Sequence, residues 1–217
     1  MKIRAPSPAA LAGLLVTLAS CSLADRPEKV LDAAGFRPGS EQAAAFLERL
    51  PTSRIAVLPG IVRTREGNAF ATATRKSALE FLTRHRLGRP AASKLEPDLG
   101  APRGKAQYQL FQNDMATLGR ATAGLDGCDD SLTLVFLVTP TPDGGIAIGG
   151  IHVYLLDAKG RDTFSFLLNS HHKAFVEARL RAPTAGPEPT AQLVAKATGV
   201  ALDALLDQLE AARKAEP

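Results

Sequence analysis

Two cysteines and four histidines carry most of the reactive chemistry open to this chain. His171 and His172 are adjacent, and neighbouring side chains on a strand face opposite ways. A metal site on that pair therefore needs a third ligand, such as Asp162 or Glu177, delivered by folding. The plainer expectation is an exposed polar strand end. His152 and Tyr154 alternate with Ile148 and Leu156, which places them partly buried on one sheet face, with His152 a satisfied core residue. Convergence of His171, His172 and His152 with a carboxylate would make the protein a small periplasmic hydrolase or a metal-binding protein.

Other candidate motifs fail on their spacing. Gly100-Ala101-Pro102-Arg103-Gly104-Lys105-Ala106 is one residue short of a phosphate loop and has Ala where Ser or Thr would hold magnesium. No Gly-x-Ser-x-Gly elbow exists, so the nucleophile turn of an α/β-hydrolase is absent. Asp129-Asp130 reads as a solvated acidic turn. No catalytic residue, metal ligand or cofactor is assigned on this evidence.

Cys21 has a clearer context. Lys2 and Arg4 form a positive start, residues 9–19 are apolar and uncharged, and small residues follow. That is the pattern of a secretory signal over residues 1–20; the apolar run is shorter than the ~20 residues needed to span a bilayer. Leu18-Ala19-Ser20-Cys21 resembles the lipobox of bacterial lipoproteins. The resemblance implies cleavage before Cys21, diacylation of its sulfur and acylation of the new amine, with palmitate among the chains. Several acyl chains anchor durably where one binds only marginally. Ser22 stands where that family's inner-membrane retention signal has Asp, which implies the outer membrane, with the body in the periplasm.

Without the leader roughly 200 residues remain, the size of one domain. The chain is 45% hydrophobic without Trp, so the expected core is aliphatic. The formal charge of +4 includes Lys2 and Arg4, and no basic stretch is interleaved with aromatics, which argues against nucleic acid. With Cys21 acylated, Cys128 has no partner in the chain; it is expected to be buried and inert, the alternative being a bond to another chain.

Residues 22–39 mix short apolar groups with Pro, Gly and charge, so 21–39 reads as a lipidated tether and 40–213 as a single domain. Ser40 and Glu41 open a helix whose stripe is Ala43, Phe46, Leu47 and Leu50. Arg54-Ile55-Ala56-Val57-Leu58-Pro59-Gly60 reads as a strand ended by Pro-Gly, and 61–73 as loop. Helices are expected over 74–87 and 105–123, with an irregular excursion at 88–104. Residues 132–138 are apolar on both faces, as in a strand covered on both sides. Residues 146–156 continue the sheet with a bulge or close contact at Gly149-Gly150. Asp157-Ala158-Lys159-Gly160 fits a hairpin turn with Gly160 at positive φ; then Phe164, Phe166 and Leu168 alternate with Thr163 and Ser165. A long helix closes the chain from Thr190 to about Ala212.

The expected fold is α/β or α+β: a small mixed sheet of about four strands, mainly antiparallel, packed with helices. The first strand should lie beside 132–138 through the helical crossover. Four features together resemble the domain shared by the curli secretion lipoprotein, the penicillin-binding-protein activator lipoproteins and the amino-terminal part of the Tol-system translocation protein. They are Arg54-Ile55-Ala56-Val57-Leu58-Pro59, the helix feeding the apolar strand, Leu155-Leu156-Asp157-Ala158-Lys159-Gly160 and the closing helix. Residues 88–104 show no second strand of that pattern. The resemblance implies an envelope scaffold or regulator, without catalytic residues and with an envelope protein as partner. Loops 61–73, 88–104 and 181–190 are the expected partner surfaces.

Overall fold

Phe46, Leu47 and Leu50 are buried along or just beyond helix α1 (Ser40–Arg49). The apolar run after it makes β1 (Arg54–Val57) and, past Pro59, β2 (Gly60–Arg63). Then come β3 (Asn68–Ala71), α2 (Thr72–Arg84) and β4 (Arg89–Ala92). Helix α3 (Gln107–Thr122) leads into β5 (Asp130–Pro140), β6 (Ile146–Asp157) and β7 (Phe166–Asn169), then α4 (Lys173–Glu177) and α5 (Ala191–Ala215). The structure, a computed structural model, describes residues 40–102, 106–125, 127–169, 172–180 and 189–215. The chain divides into two units, Met1–Gly35 and Phe36–Pro217. The first lies outside the described residues, as do Cys21 and the rest of the expected tether.

The class is mixed α/β, with seven strands in one sheet among the described residues. β5 is the spine. β6 pairs with it antiparallel along its whole length, and β7 adds antiparallel to β6. On the other side β1 and β2 share it, both parallel. β4 lies parallel outside β1, and β3 antiparallel outside β2. The first strand thus lies beside the apolar one, as expected.

Three short strands exceed the expected four, each for a local reason. Pro59-Gly60 does not end the first strand. Val57 pairs with Leu132 and Ile61 with Val135, so the chain takes one more step than its partner, a bulge. Pro59 has no N–H to donate, and the ladder resumes at Gly60 to make β2. β3 pairs back on β2 where a loop was expected. β4 carries a weak strand signal in Arg89-Pro90-Ala91-Ala92, but it is an edge strand, where proline is tolerated.

Both faces of β5 are covered. Leu132, Leu134 and Phe136 join Val57, Val153 and Leu155 in a core that includes residues from α1, α2, α4 and α5. Val135 and Leu137 join Ile61, Tyr154 and Leu156 beneath Phe111 and Leu118 of α3. The buried side of α5 is the one the periodicity marked, including Leu193, Ala197, Ala201, Leu205 and Leu209. Thr190 caps it, its Oγ1 accepting the N–H of Leu193 at 3.2 Å. No helix among the described residues is long and apolar enough to cross a membrane.

The expected irregularity at Gly149-Gly150 is a bulge, where the β5–β6 register shifts between Leu137 and Val138. It corrects one expectation: Ile148 turns to the opposite face from His152 and joins Ile151 and Val153. Gly160 takes φ 72°, as the turn requires. A Cβ on Gly119 would meet the Gly160 carbonyl oxygen at 2.4 Å, so α3 and this turn touch backbone to backbone. Gly119→Ala should therefore lower stability by about 1–3 kcal/mol. Gly199→Ala, with nothing within 4 Å, should raise it by about 0.5–1 kcal/mol. Urea denaturation of both variants checks the pair of opposite signs.

Candidate functional site

The histidines do not converge. His152 lies under α3, fully buried. His172 is the N-cap of α4, whose Phe175 packs into the core on the opposite face of the sheet. His171 lies outside the described residues. Asp162 accepts the N–H of Ser165 at 2.9 Å, and Glu177 lies 3.7 Å from Lys173. Among the described residues no three His, Cys, Asp or Glu side chains are grouped to hold a metal ion.

His152 belongs to a buried polar seam between β6 and α3. Tyr154, two residues on, donates its hydroxyl to the Phe111 carbonyl at 3.1 Å. With that proton committed, His152 Nδ1 donates to the Tyr154 oxygen at 3.1 Å. Nε2 is then a bare lone pair without a hydrogen-bond partner among the described residues. Phe111 fixes both rings, stacked on Tyr154 at 5.0 Å and edge-on to His152 at 5.2 Å. Burial, with help from the Arg63 charge, pushes His152 down to about 3. Burial, then the Asp114 charge, pushes Tyr154 well above its ordinary value. Neither group is poised to exchange protons near neutrality.

Beside them Arg63, at the end of β2, holds Asp114 of α3 through Nη1, at 2.5 and 2.6 Å to the two oxygens. Its Nη2 donates to the carbonyls of Leu99 at 3.1 Å and Gly100 at 2.8 Å. One guanidinium thus ties the sheet, the helix and the excursion together. Removing one partner from such a buried pair costs about 3–5 kcal/mol. The sequence held the signal. Asp114 is four residues from Leu110 and from Leu118 on the buried stripe of α3, and Arg63 shares the face of Ile61.

A cavity of about 320 Å³ opens on the other face. Its walls come from β2 and β3 (Val62, Ala69, Phe70), the first turns of α2 (Thr72, Thr74, Ser77) and the start of α5 (Ala191, Val194). Thr74 and Thr198 bond through their hydroxyls at 3.2 Å, and Thr198 passes its proton to the Val194 carbonyl at 2.8 Å. α2 has no side-chain cap, and neither helix has an acid in its first turn. Among the described residues no charged side chain lines the cavity. It can seat a small polar or apolar group. It adjoins the segment 61–73, one of the expected partner surfaces.

Two further expectations are corrected. Asp129-Asp130 is solvated only at its first residue: Asp129 is exposed and accepts the N–H of Arg54 at 2.7 Å, while Asp130 is buried and meets Arg49 at 2.6 Å. Both are held because β5 starts here, beside the first residues of β1. Cys128 is free and half-exposed rather than buried, since it sits in the connector between α3 and β5.

No family model matches the chain, and no curated protein matches it. Among solved structures, a hypothetical protein from Chlamydia trachomatis is similar at 14% identity with a TM-score of 0.28, over 70% of this chain and 99% of that one. A likeness that slight says nothing of chemistry.

His152 gives this site a pH signature. It is neutral in the folded state down to about pH 3, whereas in the unfolded chain it takes a proton near pH 6.5. The unfolded state thus binds more protons between those values, and stability falls as pH is lowered through that window, by up to about 1.4 kcal/mol per pH unit. Urea titrations between pH 6.5 and pH 5, above most carboxylate titrations, should show that slope in the native protein. His152→Leu should lack it.

Proposed function

We propose that the protein is a non-enzymatic lipoprotein, anchored in the outer membrane by acyl chains on Cys21. Its α/β domain works in the periplasm as an accessory or scaffold subunit of an envelope assembly or transport system. The observation that carries this is Leu18-Ala19-Ser20-Cys21 at the end of a short apolar leader. Geometry supports recognition over turnover: His152 and Tyr154 are spent on each other and on backbone, and Arg63 on Asp114. The cavity between α2 and α5 offers a recess for a side chain of a protein partner.

Membrane fractionation tests the anchor and affinity capture tests the role. The native chain should sediment with outer membranes and bring down one stoichiometric envelope protein. Cys21→Ser should leave the body soluble in the periplasm. Turnover of a small substrate by the purified protein would overturn the scaffold reading.

A further inference from the structure

One end of the sheet gathers arginines. Arg54 and Arg89 are register partners on β1 and β4, both exposed, and neighbouring strands run ~4.8 Å apart. Arg84, His85 and Arg86, also exposed, lie where α2 ends and the chain turns into β4. Arg86 holds a left-handed φ of 55° in that turn. No acid stands between Glu80 and Glu96, and Glu80 faces Lys76 at 3.9 Å. Asp130 is taken by Arg49. Asp129, bonded to the Arg54 N–H, leaves one negative charge at the margin.

Among the described residues none of Arg54, Arg84, Arg86 and Arg89 is in an ion pair. The C-terminal end of α2 offsets about half a charge. With Asp129 that leaves an excess of positive charge, and like charges side by side on neighbouring strands destabilise a sheet. Among the described residues nothing further compensates it, so the compensation is expected from outside.

We infer that this end docks on the phosphate headgroups of an anionic phospholipid surface. The inference rests on the lipid-anchor reading, which puts the body within reach of a bilayer. At ~3.3–3.6 Å per residue, the spacer 22–39 allows up to about 60 Å. That length is an upper bound on reach, and the arginine end supplies the orientation. Charge complementarity decides the occupant.

The test uses the mature chain from Cys21 as its Cys21→Ser variant, so no acyl chain contributes. Sedimentation with phosphatidylcholine vesicles and with vesicles containing phosphatidylglycerol reads the partition coefficient. Binding should require phosphatidylglycerol and vanish in molar salt, where the screening length is about 3 Å. Each Arg→Gln change should weaken it about fivefold, and Arg54→Gln/Arg86→Gln/Arg89→Gln together on the order of a hundredfold. Lys196→Gln/Lys214→Gln on α5 should leave it unchanged. If the triple variant does not fold, Arg86→Gln alone and the salt series carry the test. Equal binding to both vesicles, undiminished binding by the arginine variants, or capture of a protein through these arginines without vesicle binding overturns the inference. Absence of acylation in cells would remove the anchor but not change the vesicle result.

Discussion

From Asp130 to Leu137 β5 has no wet side; every residue there is buried. A strand of that kind is stable only when both of its faces are covered, and the rest of the chain follows from that need. Helix α3 covers one face, and α1, α2, α4 and α5 contribute to the core on the other. β6 matches β5 end to end with one bulge. The opposite edge is too long for one short apolar run, so a strand broken at Pro59 serves it in two pieces. The break is what gives β3 and β4 separate places to pair.

The two faces are not equivalent. The face under the larger set of helices is mostly apolar, with the hydroxyl pair of Thr74 and Thr198 and with Asp130, held by Arg49, among its buried polar groups. The face under α3 holds Arg63, Asp114, His152 and Tyr154, at a desolvation cost that their mutual bonds roughly offset. In exchange the Arg63 guanidinium fixes where α3 and the Leu99-Gly100 segment sit on the sheet. A purely apolar contact would hold them less specifically, because dispersion and burial have no direction.

Much of this was legible in the sequence. The closing helix, the two long strands, the Gly160 turn and the bulge at Gly149-Gly150 follow from periodicity and from glycine placement. What escaped was short or depended on distant partners. β2, β3 and β4 have four residues each, too few to show a period, and β4 contains a proline. Ile148 was assigned to the wrong face because one extra residue inverts the alternation. Asp130 looked solvated because Arg49, its partner, lies far back along the chain. The cavity is assembled from three separate stretches, so no local pattern announces it.

Arg63 and Asp114 are held by each other, and Arg54, Arg84, Arg86 and Arg89 gather at one end of the sheet. The protein's proposed place in the cell depends on the thiol of Cys21. Intact-mass analysis of the protein extracted from membranes addresses that point most directly. The mature chain should begin at Cys21 and carry the added mass of a diacylglyceryl group and an amide-linked fatty acid. A chain that retains residues ahead of Cys21, or an unmodified Cys21 at its start, would contradict the account.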